Sequence, residues 1–373
     1  MRLAALLHDS GHGPFSHVFE IPMEKHSAIG REEKKPPHEV ISAWMVRNTP
    51  ELREILADDA EQVADLISPS SPKLNFQHDI ISGMTDADKM DYLIRDSHFA
   101  GVRYGVFDLD WLINSATLHP EFGRTDRYHL AFRANGELAV EQFVIAKYYM
   151  TSQVYAHRIR CIADSMLVRA IDLCIAAGDV RLQPILTATE VNDAFIAEYL
   201  DWDDSRLLHH FMSHNDTRVR NLGTRLRRRA LYKQVFEAVS LERDGAPGLD
   251  SFRAFEEYLA THSSVYEAAV ARALAVEPWE VIVDLRYDQS PGRLGPRDDN
   301  EKVALIDKDG REVPPTRGVL SELPGKPQPY KGTKKIYVYA RADSLEEKAS
   351  HRSKSDHVRE AIRGAVLSVS AQA

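Results

Sequence analysis

Residues 8–17 read H-D-S-G-H-G-P-F-S-H, which places three histidines and an aspartate within one short stretch. His8 and Asp9 end an apolar run, L-A-A-L-L at 3–7, and are followed by Gly11, Gly13 and Pro14. Glycine reaches positive φ without a Cβ penalty and proline cannot continue a helix. The spacing therefore predicts ligands projecting from a helix C-terminus beside a tight turn. An imidazole beside a carboxylate suits a divalent cation of hard or borderline character. A polar helix end in solvent is the alternative, and it gives no reason for His8, Asp9, His12 and His17 to cluster.

A second set lies further along. Residues 86–96 read D-A-D-K-M-D-Y-L-I-R-D, with Thr85 and Asp86 available as N-caps and Gly101 as a stop. At helical spacing Asp88, Tyr92 and Asp96 share one face, while Met90, Leu93 and Ile94 supply the apolar side. Alone, this is a solvated acidic stripe. Beside His8 and Asp9 it offers a further carboxylate to a shared Mn²⁺, Fe²⁺ or Mg²⁺ ion. Such an ion polarises a phosphoryl oxygen and lowers the pKa of bound water.

Together the two motifs resemble the HD superfamily of metal-dependent phosphohydrolases. Within it they resemble the deoxynucleoside triphosphate triphosphohydrolase branch, which includes bacterial dNTPases and the vertebrate SAM- and HD-domain protein. The likeness continues in P-P-H-E-V at 36–40, Q-V-Y-A-H-R at 153–158, R-A-L-Y-K at 229–233, V-I-V-D-L at 281–285 and K-K-I-Y-V-Y at 334–339. It implies a mainly α fold, with a helical HD body over 1–275 and a smaller α+β C-terminal lobe over 276–373. It also implies hydrolysis at the α-phosphorus of a dNTP, releasing deoxynucleoside and triphosphate. Two alternatives stay open: another HD nucleotidase or phosphodiesterase, and a nucleotide-binding module without turnover.

Carried over residue by residue, the resemblance makes His8, Asp9 and Asp88 ligands of a divalent metal. It further implies a histidine from an R-x-x-H-like segment upstream of the HD pair, which coding sequence before Met1 is expected to supply. His12, His17 and His38 are similar to the family's catalytic and phosphate-contacting histidines, and Glu20 stands where relatives carry an orienting aspartate. Lys89 would meet the triphosphate, and Tyr92 and Asp96 would line the sugar. Lys147 replaces a phosphate-binding arginine, and Tyr155 matches an aromatic beside the sugar and base. Arg229 and Lys233, with His157 and Arg158, are similar to contacts for a nucleotide effector. Relatives assemble as dimers or tetramers, so a homo-oligomer is expected.

Several elements must position these groups. Pro36 and Pro37 open a helix bearing His38, Val40, Ile41, Trp44 and Met45. Runs at 128–133 and 138–140 read as a hairpin turned by Asn135-Gly136. One long helix over 141–177 would carry Lys147, Thr151, Tyr155 and Arg158 on one face. Further helices are predicted over 187–199, 205–213, 217–239 and 249–275, which would set Arg229 and Lys233 one turn apart. Strands follow at 281–285, 303–306 and 335–339, with a turn at 307–310 and a closing helix over 344–367.

Composition narrows the class. The chain has 373 residues, 43% hydrophobic and 28% charged, with net charge −9, so indiscriminate nucleic-acid binding is not expected. No run approaches the roughly 18 apolar residues of a membrane span, and the opening M-R-L-A-A-L-L is short for a secretory signal. Cys161 and Cys174 lack C-x-x-C spacing and read as small buried residues of a reducing compartment. A cytoplasmic protein without membrane partners is the expectation.

Overall fold

A computed structural model describes residues 1–69, 76–120, 128–239, 252–287, 303–314 and 334–370. The architecture is mainly α with small sheets. Contacts divide the chain into two units. The first comprises Met1–His157, Ile185–Asp201 and Gln289–Lys331; the second comprises Arg158–Pro184, Trp202–Asp288 and Gly332–Ala373. Among the described residues, no helix is long and apolar enough to cross a membrane.

The first unit opens with the Arg2–Leu7 helix, with His8 as its C-cap. Six residues are too few for a helix to persist in water unaided. Ala4 is wholly buried in a core with Ala43, Val46, Ala64 and Ile67, and this packing holds the helix in place. The turn after His8 uses its glycines differently from the prediction. Positive φ falls on Phe15 and Ser16 (60° and 55°), not on Gly11 or Gly13. Gly11 instead permits close approach, since a Cβ there would lie 2.3 Å from the His38 carbonyl oxygen. The Gly11 amide donates to Ser42 Oγ at 2.8 Å, and Ser42 Oγ donates to the His8 carbonyl at 2.6 Å. This latch ties the turn to the Pro37–Asn48 helix, which starts at the predicted prolines.

The Ala87–Phe99 helix is capped by Asp86, whose side chain accepts from the Lys89 amide, and Gly101 follows its end at φ 69°. Tyr128–Arg133 forms a strand, but its antiparallel partner is Ala116–Pro120. The predicted hairpin is therefore incorrect. Asn135 and Gly136 lie in the 3₁₀ turn Ala134–Gly136, and residues 138–140 belong to the helix Glu137–Met150. Ala139, Val140, Phe143 and Val144 are buried together, so the run is apolar at helical spacing and not at strand spacing. Ala304–Ile306 pairs in parallel with Tyr128–Arg133 and antiparallel with Glu312–Val313.

The long helix predicted over 141–177 is also two elements. After Met150 the chain widens into a π-helical turn, Thr151–Tyr155, with the Ala156 amide reaching back to the Thr151 carbonyl at 2.8 Å. A new helix, Arg158–Ala176, begins the second unit. Lys147, Thr151, Tyr155 and Arg158 are therefore not carried by one continuous helix.

In the second unit, the strands Lys233–Val239, Lys334–Ala340 and Val281–Tyr287 form an antiparallel sheet in that order. It packs on Tyr266, Val270, Val358 and Ile362 of two flanking helices. The helix predicted over 217–239 stops at Arg227, where the Ala230 amide returns to the Arg225 carbonyl and Arg229 takes φ 56°. Val235, Phe236 and Ala238 then bury themselves as a strand, so edge pairing overrides helical propensity. The helices at 187–199 and 344–367 are likewise shorter pieces: Asp193–Tyr199 capped by Asn192, and Leu345–Ser353 followed by Ser355–Ser370.

Candidate active site

His8 sits where the first helix ends, and its Nδ1 lies 2.9 Å from the Ala5 carbonyl. A carbonyl only accepts, so Nδ1 carries the proton and Nε2 faces the acids. Nε2 is 3.3 Å from Asp9 Oδ1 and 3.8 Å from Asp88 Oδ1, the latter from the first turn of the Ala87–Phe99 helix. One donor atom each of His8, Asp9 and Asp88 lies within 4.8 Å of the others. The neighbouring Asp88 carboxylate raises the His8 pKa to about 9, against the lowering effect of burial and with help from Asp9 and the Ala5 carbonyl. A divalent cation fits this donor set. Its imidazole is oriented through the far nitrogen by a backbone acceptor, as metal-ligating histidines are, and two carboxylates supply the charge.

A second cluster adjoins it. Glu20, from the first turn of the His17–His26 helix, is buried, with Oε2 accepting from His17 Nδ1 at 2.7 Å. Its Oε1 accepts from the His38 amide at 3.1 Å and is paired with His38 Nδ1. Burial pushes the Glu20 carboxyl upward, but His17 and His38 outweigh it and hold the group well below the usual carboxylate range. His12 stacks on His38 and lies edge-on to His17. Its Nε2 is 3.6 Å from Asp9 Oδ1, which links the two clusters. His12 holds the Asp9 carboxyl below its ordinary value against the opposing effect of burial. The buried His12 Nδ1 has no hydrogen-bond partner among the described residues.

The remaining expected residues divide. Tyr155 Oη donates to Asp96 Oδ2 at 2.8 Å, and its ring meets Tyr92 edge-on at 5.9 Å. Lys89 Nζ is 2.5 Å from Oδ2 of the buried Asp86, so its charge is already engaged. Lys147 is half-buried near the end of the Glu137–Met150 helix, and His157 is exposed in the break after the π turn. Arg158, Arg229 and Lys233 belong to the second unit. Arg229 follows a helix end and Lys233 opens a strand, so they are not one helical turn apart.

Two contributors lie outside the predicted set. Asp86 serves both as the cap and as the partner of Lys89, an ion pair that an Asp-x-x-Lys spacing at a helix start signals. Tyr199, wholly outside the motifs, donates its hydroxyl to the Gly11 carbonyl at 2.8 Å and braces the ligand turn. No local pattern connects residues so far apart in the chain.

The chain matches the HD domain over residues 1–96 and the HD associated region over residues 107–294. It is 35% identical to an uncharacterized protein of Methanocaldococcus jannaschii over 46% of this chain and 33% of that protein. It is 27% identical to the deoxynucleoside triphosphate triphosphohydrolase SAMHD1 homolog of Dictyostelium discoideum over 64% of this chain and 44% of that one. Its fold is similar to that of a phosphohydrolase from Bacteroides thetaiotaomicron, with TM-score 0.61 and 22% identity, covering 91% of this chain and 78% of the other. The chain spans about a third to a half of the length of the curated relatives it matches.

Proposed function

The chain belongs to the HD-domain family of phosphohydrolases, and on that premise we propose that it cleaves deoxynucleoside triphosphates to deoxynucleoside and inorganic triphosphate. The observation that carries this reading is the junction of two clusters. The His8, Asp9 and Asp88 donor set meets the stacked His12 and His38 through Asp9. The relative named as a deoxynucleoside triphosphate triphosphohydrolase supports the substrate class.

His8, Asp9 and Asp88 would hold the divalent cation, which when bound polarises a phosphoryl oxygen and lowers the pKa of attacking water. The protein's own groups do the rest. His12 and His38 donate hydrogen bonds to phosphate oxygens and deliver a proton to the leaving oxygen, a task imidazoles perform near neutral pH. Glu20 fixes the orientation of His17 and His38, and its carboxylate, held well below the usual range, stays charged beside them. Lys89 shares its charge between Asp86 and the triphosphate. Asp96, oriented by Tyr155, accepts from the sugar 3′-hydroxyl, and the Tyr92 ring occupies the space a ribose 2′-hydroxyl would need.

A product assay tests this. Each dNTP and its ribonucleotide counterpart is incubated with protein and Mn²⁺ or Mg²⁺, and the released anion is identified. Triphosphate from the deoxynucleotides alone supports the proposal. Pyrophosphate or phosphate instead points to another HD nucleotidase, and binding without turnover to a nucleotide-binding module.

A further inference from the structure

In the second unit, four side chains that the phosphohydrolase chemistry does not use converge: Cys174, Asp179, His210 and His214. One donor atom of each lies within 4.8 Å of all the others. We propose that they form a second metal site, of the zinc class, separate from the His8, Asp9 and Asp88 site.

The local structure brings the ligands together in two pairs. Cys174 lies in the last turn of the Arg158–Ala176 helix, and Gly178 at φ 70° reverses the chain behind it. The Asp179 amide returns to the Cys174 carbonyl at 3.0 Å, which sets the carboxylate beside the thiol. His210 and His214 are one helical turn apart at the end of the Asp204–Ser213 helix. This is C-x₄-D joined to H-x₃-H, close to the paired spacings of structural zinc sites with one cysteine replaced by aspartate.

The donors also point the right way. Asp179 Oδ1 caps the Arg181 and Leu182 amides at 2.9 Å each, which fixes the carboxylate plane. Its Oδ2 then faces His210 Nε2 at 2.7 Å and His214 Nε2 at 3.0 Å. Two imidazoles thus aim the same ring nitrogen at one point, and the Trp202 indole packs edge-on against His210 at 5.3 Å to hold that ring. Cys174 has no exposed surface, Asp179 is 9% exposed, and the two histidines are half-buried. A closed set of four ligands has no open position for substrate, so the role is structural. Sulfur with two imidazoles selects zinc over the hard ions suited to the HD site.

Binding has a defined proton balance. Cys174 releases its thiol proton as the metal–sulfur bond forms. His214 Nδ1 accepts the Asp216 amide at 3.0 Å, so the neutral ring carries its proton on Nε2. Ligation through Nε2 moves that proton to Nδ1 and displaces the Asp216 amide, and His210, whose Nε2 donates to Asp179 Oδ2 in the metal-free site, likewise moves its proton to Nδ1. His214 is accordingly the most weakly held of the four ligands.

The test uses the whole chain expressed in cobalt-supplemented medium, with zinc and cobalt content measured after gel filtration. The proposal expects retained metal and a thiolate-to-cobalt charge-transfer band in the wild type. That band is kept in Asp88→Asn and lost in Cys174→Ser and His210→Gln. A wild-type protein whose cobalt shows no thiolate band overturns the proposal, and this readout does not depend on any variant folding. Metal content equal in wild type and Cys174→Ser also overturns it, leaving Asp179 as a hydrogen-bonded hub without an ion.

Discussion

The His12 ring lies nearly flat on the His38 ring, with centroids 4.0 Å apart and planes 16° from parallel. Two stacked imidazoles repel each other when both are charged, so anions must stand close by. Glu20 supplies one behind His38, and Asp9 another in front of His12. A phosphate arriving between them completes the neutralisation.

Glu20→Gln removes the charge that orients His17 and His38. The expected outcome is a loss of roughly 10²-fold or more in kcat, the scale of general acid–base catalysis, with a smaller change in KM. A variant with near-normal kcat would show that Glu20 does not act through the histidines.

His8 makes the metal-free protein sensitive to pH. Its pKa is raised from 6.5 to about 9 in the fold, so the stabilisation is complete below pH 6.5 and lost as pH rises through 9. The upper bound is about 3 kcal/mol. A bound cation requires the neutral ring, so its affinity rises over the same interval, by roughly tenfold per pH unit. Thermal melts across that range should therefore fall for metal-free protein and hold steady in excess Mn²⁺. Parallel curves with and without metal would exclude His8 as a ligand.

Tyr155→Phe deletes the hydroxyl that holds Asp96 at 2.8 Å. A hydrogen bond to a charged group is worth about 1.5–3 kcal/mol, so KM for a dNTP should rise by roughly tenfold or more. Competition between dNTP and NTP should also narrow, since Asp96 no longer fixes the sugar against Tyr92. Unchanged discrimination would remove this pair from the sugar site.

Gly11→Ala tests the turn itself. Its Cβ would lie 2.3 Å from the His38 carbonyl oxygen and 2.6 Å from the Ser42 amide nitrogen, both backbone atoms that cannot step aside alone. A loss of about 1–3 kcal/mol in denaturant unfolding is expected, accompanied by weaker metal binding. Full stability with normal metal affinity would contradict the packed turn.

The elements around the candidate site were legible where their signals are local. His8 and Asp9 behind an apolar run, and the Asp86-capped helix bearing Asp88, follow from spacing and capping chemistry alone. The breaks were not. Residues 233–239 continue a helical pattern in isolation and become a strand only because Lys334–Ala340 lies beside them. The π turn at Thr151–Tyr155 carries no proline or glycine to announce it. Cys174 is buried as its lack of C-x-x-C spacing implies, but its neighbours Asp179, His210 and His214 come from separate segments that no cysteine spacing connects.

The shared cation is most directly tested by Mn²⁺ titration followed by electron paramagnetic resonance, on the wild type and on Asp88→Asn. Joint ligation by His8, Asp9 and Asp88 predicts a bound-Mn²⁺ signal that disappears, together with nucleotide hydrolysis, in the variant. Undiminished Mn²⁺ binding in Asp88→Asn would contradict it.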